Sequence, residues 1–315
     1  MRVIRHLAHV APPLRRVVLT LGNFDGVHLG HQAIVRRAAA EARALGGQVV
    51  VLTFHPHPVA VLAPDKAPPQ LQSLHDRLAR LRDLGVDTVV VQRFTPRFAA
   101  LEPEEFVRDY LGAQLEMLHV VVGGNVSFGR GRAGTVDTLR ALGAAQGFVV
   151  DAVGPVMVGE TQVSSSALRR LVAAGDVRGA RALLGRPFTL RGRVVQGEHR
   201  GRTLGFPTAN LHQRPGLLLP ADGVYAVRAA LDGTVRRAVL NIGIRPTFGE
   251  LRRTVEAFLL DFDADLYGRW LTLELIERLR GEQRFSGVEA LRQAITDDVT
   301  RARELLARDE QGVVG

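Results

Sequence analysis

Two histidines three positions apart close the stretch Gly22-Asn23-Phe24-Asp25-Gly26-Val27-His28-Leu29-Gly30-His31. Paired imidazoles beside a triphosphate stabilise the charge that develops in a phosphoryl or nucleotidyl transition state. Gly30, lying between them, is expected to allow a turn that aims both rings at one point. Glycines in this stretch let the backbone come close to a ligand, and a helix start offers unpaired amides to an anion. Lysine has almost no part in the chain, since Lys66, in a proline-rich stretch, is the only one. That excludes a P-loop and a protein-kinase site, both of which need a lysine in a defined setting. Phosphate must be held by backbone amides, His, Arg, hydroxyls and metal. There are no cysteines, so disulfides, zinc thiolates and cysteine nucleophiles are excluded as well.

Further along, Ser164-Ser165-Ser166 precedes Arg169. Serines at a helix start either cap the helix or bind phosphate, and an arginine nearby pairs with phosphate. Pro207-Thr208-Ala209-Asn210 sets a hydroxyl and a neutral amide two residues apart behind a proline. Such groups suit a Mg²⁺ that stays largely hydrated and bound to nucleotide phosphates. Before it runs the glycine-rich stretch Gly192–Gly205, readable as a hairpin or as a nucleotide loop. Glu256 opens the apolar run Ala257–Leu260 and reads, by pattern alone, as an exposed strand residue. Gly129, Gly131 and Gly134 satisfy a GxGxxG pattern, but they lie too far beyond a strand end for a dinucleotide fingerprint.

The elements that must position these groups alternate in the first half. Strands are expected at Val17–Leu21, Gln48–Phe54, Thr88–Val91, Leu118–Val122 and Phe148–Val153, each short and apolar throughout, as parallel strands covered on both faces are. Helices are expected at His31–Leu45, Ser73–Leu84, Glu104–Leu111 and Thr135–Gln146, giving an α/β fold with a largely parallel sheet. The histidine stretch then joins the first strand to the first helix, at the carboxyl edge where ligands bind. Two helices, Ala167–Ala174 and Val177–Leu184, lead to a boundary at Gly185-Arg186-Pro187. Beyond it, strands at Phe188–Val195, Val224–Leu231, Val235–Ile242, Val255–Leu260 and Leu271–Ile276, closed by a helix at Gly287–Leu306, suggest a small antiparallel barrel.

At 315 residues, 46% hydrophobic and 23% charged, the chain suits two soluble domains. No apolar run is long enough to span a membrane and no signal peptide is visible, so a cytoplasmic location is expected. The net charge of +9 comes from arginines scattered among acids, with aromatics at 5%, which argues against a nucleic-acid surface.

Taken together, these motifs resemble a known family. Gly22–His31 is similar to the signature of the HxGH nucleotidyltransferases, in the form typical of bifunctional riboflavin kinase/FAD synthetases. Ser164–Arg169 matches that family's second phosphate segment. His55-Pro56-His57-Pro58 resembles its substrate loop, and Val122–Thr135 another loop in which Asn125 and Ser127 are variant positions. Gly201–Phe206 and Pro207–Asn210 resemble the nucleotide loop and the metal motif of riboflavin kinases. Gly223-Val224-Tyr225, Asn241-Ile242-Gly243, Arg245–Phe248, Val255-Glu256 and Arg280–Glu289 follow in the family's order. The resemblance covers roughly residues 15–308.

It implies a Rossmann-like α/β FMN adenylyltransferase domain over residues 1–185. A riboflavin kinase-like antiparallel β-barrel with a terminal helix would occupy 186–315. The catalytic residues would be His28 and His31 in the first and Glu256, as general base, in the second. ATP and its phosphates would meet Gly22, Asn23, Phe24, Asp25, Gly30, Ser164, Ser165, Ser166 and Arg169 in the first domain. In the second they would meet Gly197, Arg202, Gly205 and Pro207. Flavin would meet His57, Pro58 and Asn125, or Arg280 and Phe285, and Mg²⁺ would meet Thr208 and Asn210. Riboflavin, FMN and ATP are the implied substrates, without nucleic acid or membrane, and the protein would be a monomer or weak homo-oligomer. Two alternatives stay open at this point: an adenylyltransferase for another phosphate-bearing small molecule, and a basic nucleic-acid-binding protein.

Overall fold

The computed structural model describes residues 1–197, 205–247 and 250–312. Arg202 and Phe248 lie outside the described residues. The chain divides into two compact units, Met1–Ser165 and Ser166–Gly315.

The first unit runs β1 (Arg2–Arg5), β2 (Leu14–Leu21), α1 (Leu29–Leu45), β3 (Gln48–His55), α2 (Pro58–Leu62), α3 (Leu74–Asp83), β4 (Thr88–Arg93), α4 (Pro96–Ala99), α5 (Pro103–Glu105), β5 (Leu115–Gly123), α6 (Val136–Gln146), β6 (Val149–Val153) and a two-stranded ribbon of β7 (Met157–Val158) and β8 (Thr161–Gln162). The sheet is six-stranded, in the order β1-β4-β3-β2-β5-β6, and every pairing is parallel. Its central strands are largely apolar because alternate residues feed two cores. Val17, Leu19, Val50, Leu52, Val90 and Val120 pack on one face with Phe106, Leu139 and Phe148. Val18, Val49, Val51, Val89 and Val121 pack on the other with Val35, Ala38 and Ala42 of α1 and Leu81 of α3. Each such side chain contributes about 1.5–3 kcal/mol through burial. From β2 the chain moves one way to β3 and β4, and later the other way to β5 and β6. The carboxyl ends of β2 and β5 therefore flank a switch point, the ordinary ligand crevice of an open α/β sheet.

The second unit holds most of α7 (Ser165–Ala174), α8 (Val177–Leu184), the strands β9 (Phe188–Val195), β10 (Ala209–His212), β11 (Gly223–Leu231), β12 (Thr234–Thr247), β13 (Glu250–Leu259) and β14 (Trp270–Arg280), and α9 (Val288–Glu310). The strands close a barrel in the order β10-β13-β12-β11-β14-β9, with antiparallel neighbours. Ala302 and Leu306 of α9 pack on Val224, Ala226, Ile276 and Leu279. Asp309 of α9, buried, binds Arg181 of α8 and Arg228 of β11, so the helices are tied to the barrel by a shared carboxylate.

Two local expectations are corrected. Gly30 makes no turn, because it is the second residue of α1. Glu104–Leu111 is not one α-helix: α5 ends at Glu105, and Phe106–Leu111 is π-helical. Four strands, β1, β7, β8 and β10, carried no expectation. β1 is an exposed edge strand, and β10 owes its form to pairing on both sides.

Candidate active sites

In the first unit, hydrogen bonds from neighbouring segments pin the loop between β2 and α1. Asn23 O accepts from Thr53 Oγ1 at 3.2 Å, and Phe24 O from Gln72 Nε2 at 3.2 Å. The buried Asp25 carboxylate accepts from the Leu71 amide at 3.1 and 3.2 Å. Ser165 Oγ donates to Asp25 O at 2.9 Å, which brings the serine segment onto the loop. Phe24 and Val27 have φ of 50° and 41°. Non-glycine residues keep such conformations only where their surroundings over-determine them.

His28 is the N-cap of α1, and its Nδ1 accepts from the His31 amide at 3.3 Å. The two imidazoles are stacked, with centroids 3.6 Å apart and planes inclined by 17°. The Phe24 ring lies 5.1 Å from that of His31. Gly30 serves by what it lacks: a Cβ there would stand 3.2 Å from the His28 ring. His31 Nδ1 is buried without a hydrogen-bond partner. Burial first, then the neighbouring His28 and Arg77, hold the His31 pKa well below 6.5, so its ring is neutral in the free protein near pH 7. A helix start presents free amides to an anion, and imidazoles beside it add hydrogen-bonding groups.

Beside this loop opens a cavity of about 610 Å³, lined by Gly22, Asn23, Pro58, Val126, Ser127, Gly131 and Arg132 and by the rings of Phe54, Phe94, Phe98, Phe106 and Phe128. Its size and apolar lining suit a planar aromatic ligand. His57 caps α2 through Nδ1, which accepts from the Val59 amide at 3.2 Å, and its Nε2 faces the Asn23 amide at 3.3 Å. The atom facing His57 is Asn23 Nδ2, and Asn23 Oδ1 is buried without a hydrogen-bond partner. Asn125 is exposed just past β5 and does not line the cavity. The phenylalanines were missed from sequence; they are dispersed from Phe54 to Phe128, and only the fold gathers them. Arg132, bonded through Nε to Ser127 Oγ at 2.8 Å, was likewise not singled out. Ser166, exposed, and Arg169 lie on α7 in the second unit.

In the barrel, one register row carries the polar groups. Asn210 of β10 stands opposite Glu256 of β13, Glu256 opposite Asn241 of β12, Asn241 opposite Val224 of β11, and Val224 opposite Arg280 of β14. Directly paired residues share a sheet face about 5 Å apart. Glu256 is buried rather than exposed; its Oε2 accepts from Thr208 Oγ1 at 3.4 Å and its Oε1 from Thr254 Oγ1 at 3.2 Å. Gly197 is required by space, because a Cβ would come within 2.1 Å of the Asn210 amide nitrogen. Gly205 has φ of 87°, a conformation that suits glycine. Pro207, Thr208 and Ala209 line a second cavity of about 440 Å³, whose far wall includes Asp263, Asp265 and Tyr267. Arg280 is engaged bidentately with Asp298 at 2.8–3.0 Å, and its guanidinium lies 5.4 Å from the Phe285 ring. Asn241, on a segment noted in the sequence, was not counted among the site residues.

Two family models match the chain: FAD synthetase over residues 11–167 and riboflavin kinase over residues 184–306. A bifunctional riboflavin kinase/FMN adenylyltransferase of Escherichia coli (strain K12) is 40% identical over 96% of this chain and 97% of its own length. That of Pseudomonas fluorescens is 42% identical over 98% of each. That of Bacillus subtilis (strain 168) is 38% identical over 90% and 91%. A crystal structure described as a macrolide-efflux protein from Streptococcus pneumoniae superposes with a TM-score of 0.88 at 31% identity, covering 96% of this chain and 99% of that one. Among the described residues, no helix is long and apolar enough to cross a membrane.

Proposed function

The chain belongs to the family of bifunctional riboflavin kinases/FMN adenylyltransferases, and we propose how its residues divide that work. The C-terminal domain phosphorylates riboflavin with ATP to give FMN, and the N-terminal domain joins FMN to the adenylyl group of ATP to give FAD and pyrophosphate. We draw the domain boundary at Gly185-Arg186, close to where the riboflavin kinase match begins at residue 184.

For adenylyl transfer, an oxygen of the FMN phosphate attacks the α-phosphorus of ATP, and the bond to pyrophosphate breaks. This displacement needs alignment and charge stabilisation more than a strong base. His28 and His31 meet the phosphates at the start of α1 with the backbone of Gly22–Asp25. Ser164 and Ser165 approach from the serine segment. For Ser166 and Arg169, a role as phosphate clamp rests on the sequence motif. The flavin ring enters the phenylalanine-lined cavity, past His57 and Pro58; for Asn125, a role in flavin binding rests on the sequence motif.

For the kinase step, the 5′-hydroxyl of riboflavin attacks the γ-phosphorus of ATP and its proton passes to Glu256. Thr208 and Thr254 hold the Glu256 carboxylate in place. The Thr208 hydroxyl and Asn210 amide oxygen beside that carboxylate form a hard, oxygen-only donor set, which fits Mg²⁺. When bound, Mg²⁺ neutralises charge on the transferring phosphates. Gly197, Gly205 and Pro207 shape the nucleotide side, and Phe285, stacked by Arg280, closes over the flavin. A cytoplasmic location and a state of monomer or weak homo-oligomer, without nucleic acid, complete the reading.

The observation that carries it is the pair of polar constellations, the stacked His28 and His31 in one unit and Thr208 against Glu256 in the other. Incubation with riboflavin, ATP and Mg²⁺, followed by chromatographic separation of flavins, is expected to yield FMN and then FAD. Absence of both would overturn it.

A further inference from the structure

Arg77, on α3, is the largest fully buried side chain of the described residues, with 1% of its surface exposed. A guanidinium cannot shed its charge, and burying one is costly unless the charge is used or balanced. Nη1 donates to Thr53 Oγ1 and to Phe54 O, both at 3.3 Å, while Nε has no hydrogen-bond partner. The partners are placed with some economy. Thr53 Oγ1 in turn donates to Asn23 O in the histidine loop, and Phe54 lines the aromatic cavity. Leu71 and Gln72, just before α3, bind Asp25 and Phe24 of the same loop. Segment 71–77 is therefore a floor beneath the whole loop, and Arg77 is its cation.

On the reading that adenylyl transfer occurs on this loop, we propose that Arg77 is a positioning residue for that reaction. It fixes the loop through Thr53, and it sets a buried positive charge beneath the phosphates in a chain with no lysine there. The titratable groups acting on His31 are its stacked neighbour His28 and, from α3, Arg77; the Asp25 carboxylate acts on Arg77 in turn. Both neighbours disfavour a charged His31. Burial first, then His28, then Arg77 keep the imidazole neutral, so the permanent charge comes from the arginine and the histidine remains a hydrogen-bond donor.

The experiment compares Arg77→Gln, which removes the charge, with Arg77→Lys, which keeps it. Riboflavin phosphorylation by the same chain monitors the barrel, and wild-type FAD formation from FMN verifies the underlying reading independently. The His31 Cε1–H resonance, assigned through His31→Gln, is followed by NMR against pH. In Arg77→Gln its midpoint is expected to rise toward 6.5, the KM for ATP in FAD formation to rise, and kcat to fall about tenfold or more. In Arg77→Lys the midpoint is expected to stay at the wild-type position, with a smaller loss of kcat. If Arg77→Gln does not fold, the lysine variant alone decides: an upward midpoint shift there would overturn the positioning role. An unmoved midpoint with wild-type KM and kcat in folded Arg77→Gln would overturn it equally.

Discussion

The His28 and His31 rings lie face to face at 3.6 Å, and a Cβ at the intervening Gly30 would press on His28 at 3.2 Å. Burial above all, then the neighbouring His28 and Arg77, hold the His31 pKa well below 6.5, so the free protein keeps His31 neutral.

A pH dependence follows, and its sign is fixed. The folded pKa of His31 lies below its unfolded value of 6.5. Above 6.5 neither state binds the proton, and His31 has no effect on stability. As pH falls through 6.5 the unfolded chain takes up a proton that the folded one does not, so stability declines. Thermal melts from pH 7.5 to 5 are expected to lose less stability in His31→Gln than in the wild type.

Gly30→Ala separates stability from activity. Alanine is favoured over glycine inside a helix by about 1 kcal/mol, so the α1 melt should hold or improve. The displaced His28 ring should cost FAD formation roughly 10–100-fold, since small misplacements at a reacting centre are expensive. Steady-state kinetics with FMN and ATP alongside thermal melts would reveal the divergence.

In the barrel, Gly197→Ala drives a Cβ into the Asn210 amide. The KM for ATP in riboflavin phosphorylation is expected to rise about tenfold, by loss of one oriented polar group. FAD formation from supplied FMN should not change.

Arg132 lines the aromatic cavity together with Gly22 and Asn23 of the phosphate loop. Arg132→Ala is expected to raise the KM for FMN about tenfold through loss of a charge-assisted contact. Fluorescence titration would show riboflavin binding to the same cavity little altered.

The parallel strands were legible because burial on both faces leaves an unbroken apolar run, as in Val49–Leu52. The two motif sets were legible because their spacing is local. What escaped depends on contacts distant in sequence. β10 contains only Ala209–His212 and becomes a strand by pairing with β9 and β13. Arg77 drew no expectation from the sequence, because its partners Thr53 and Phe54 lie more than twenty residues away. Glu256 reads as exposed until Thr208 and Thr254 close on its carboxylate. Gly30 looked like a hinge because glycine's missing side chain and its backbone freedom have the same sequence signature.

Separate sites for the two reactions are tested most directly by mixing two disabled proteins. Glu256→Gln should lower FMN formation roughly 10²–10⁴-fold by loss of the base while still adenylylating supplied FMN. His28→Ala/His31→Ala should still make FMN but lose FAD formation by about 10²–10³-fold. Given riboflavin and ATP, neither alone should accumulate FAD, and an equimolar mixture should, as FMN passes from one to the other. A mixture that stayed without FAD, with both proteins folded and FMN accumulating, would contradict the assignment.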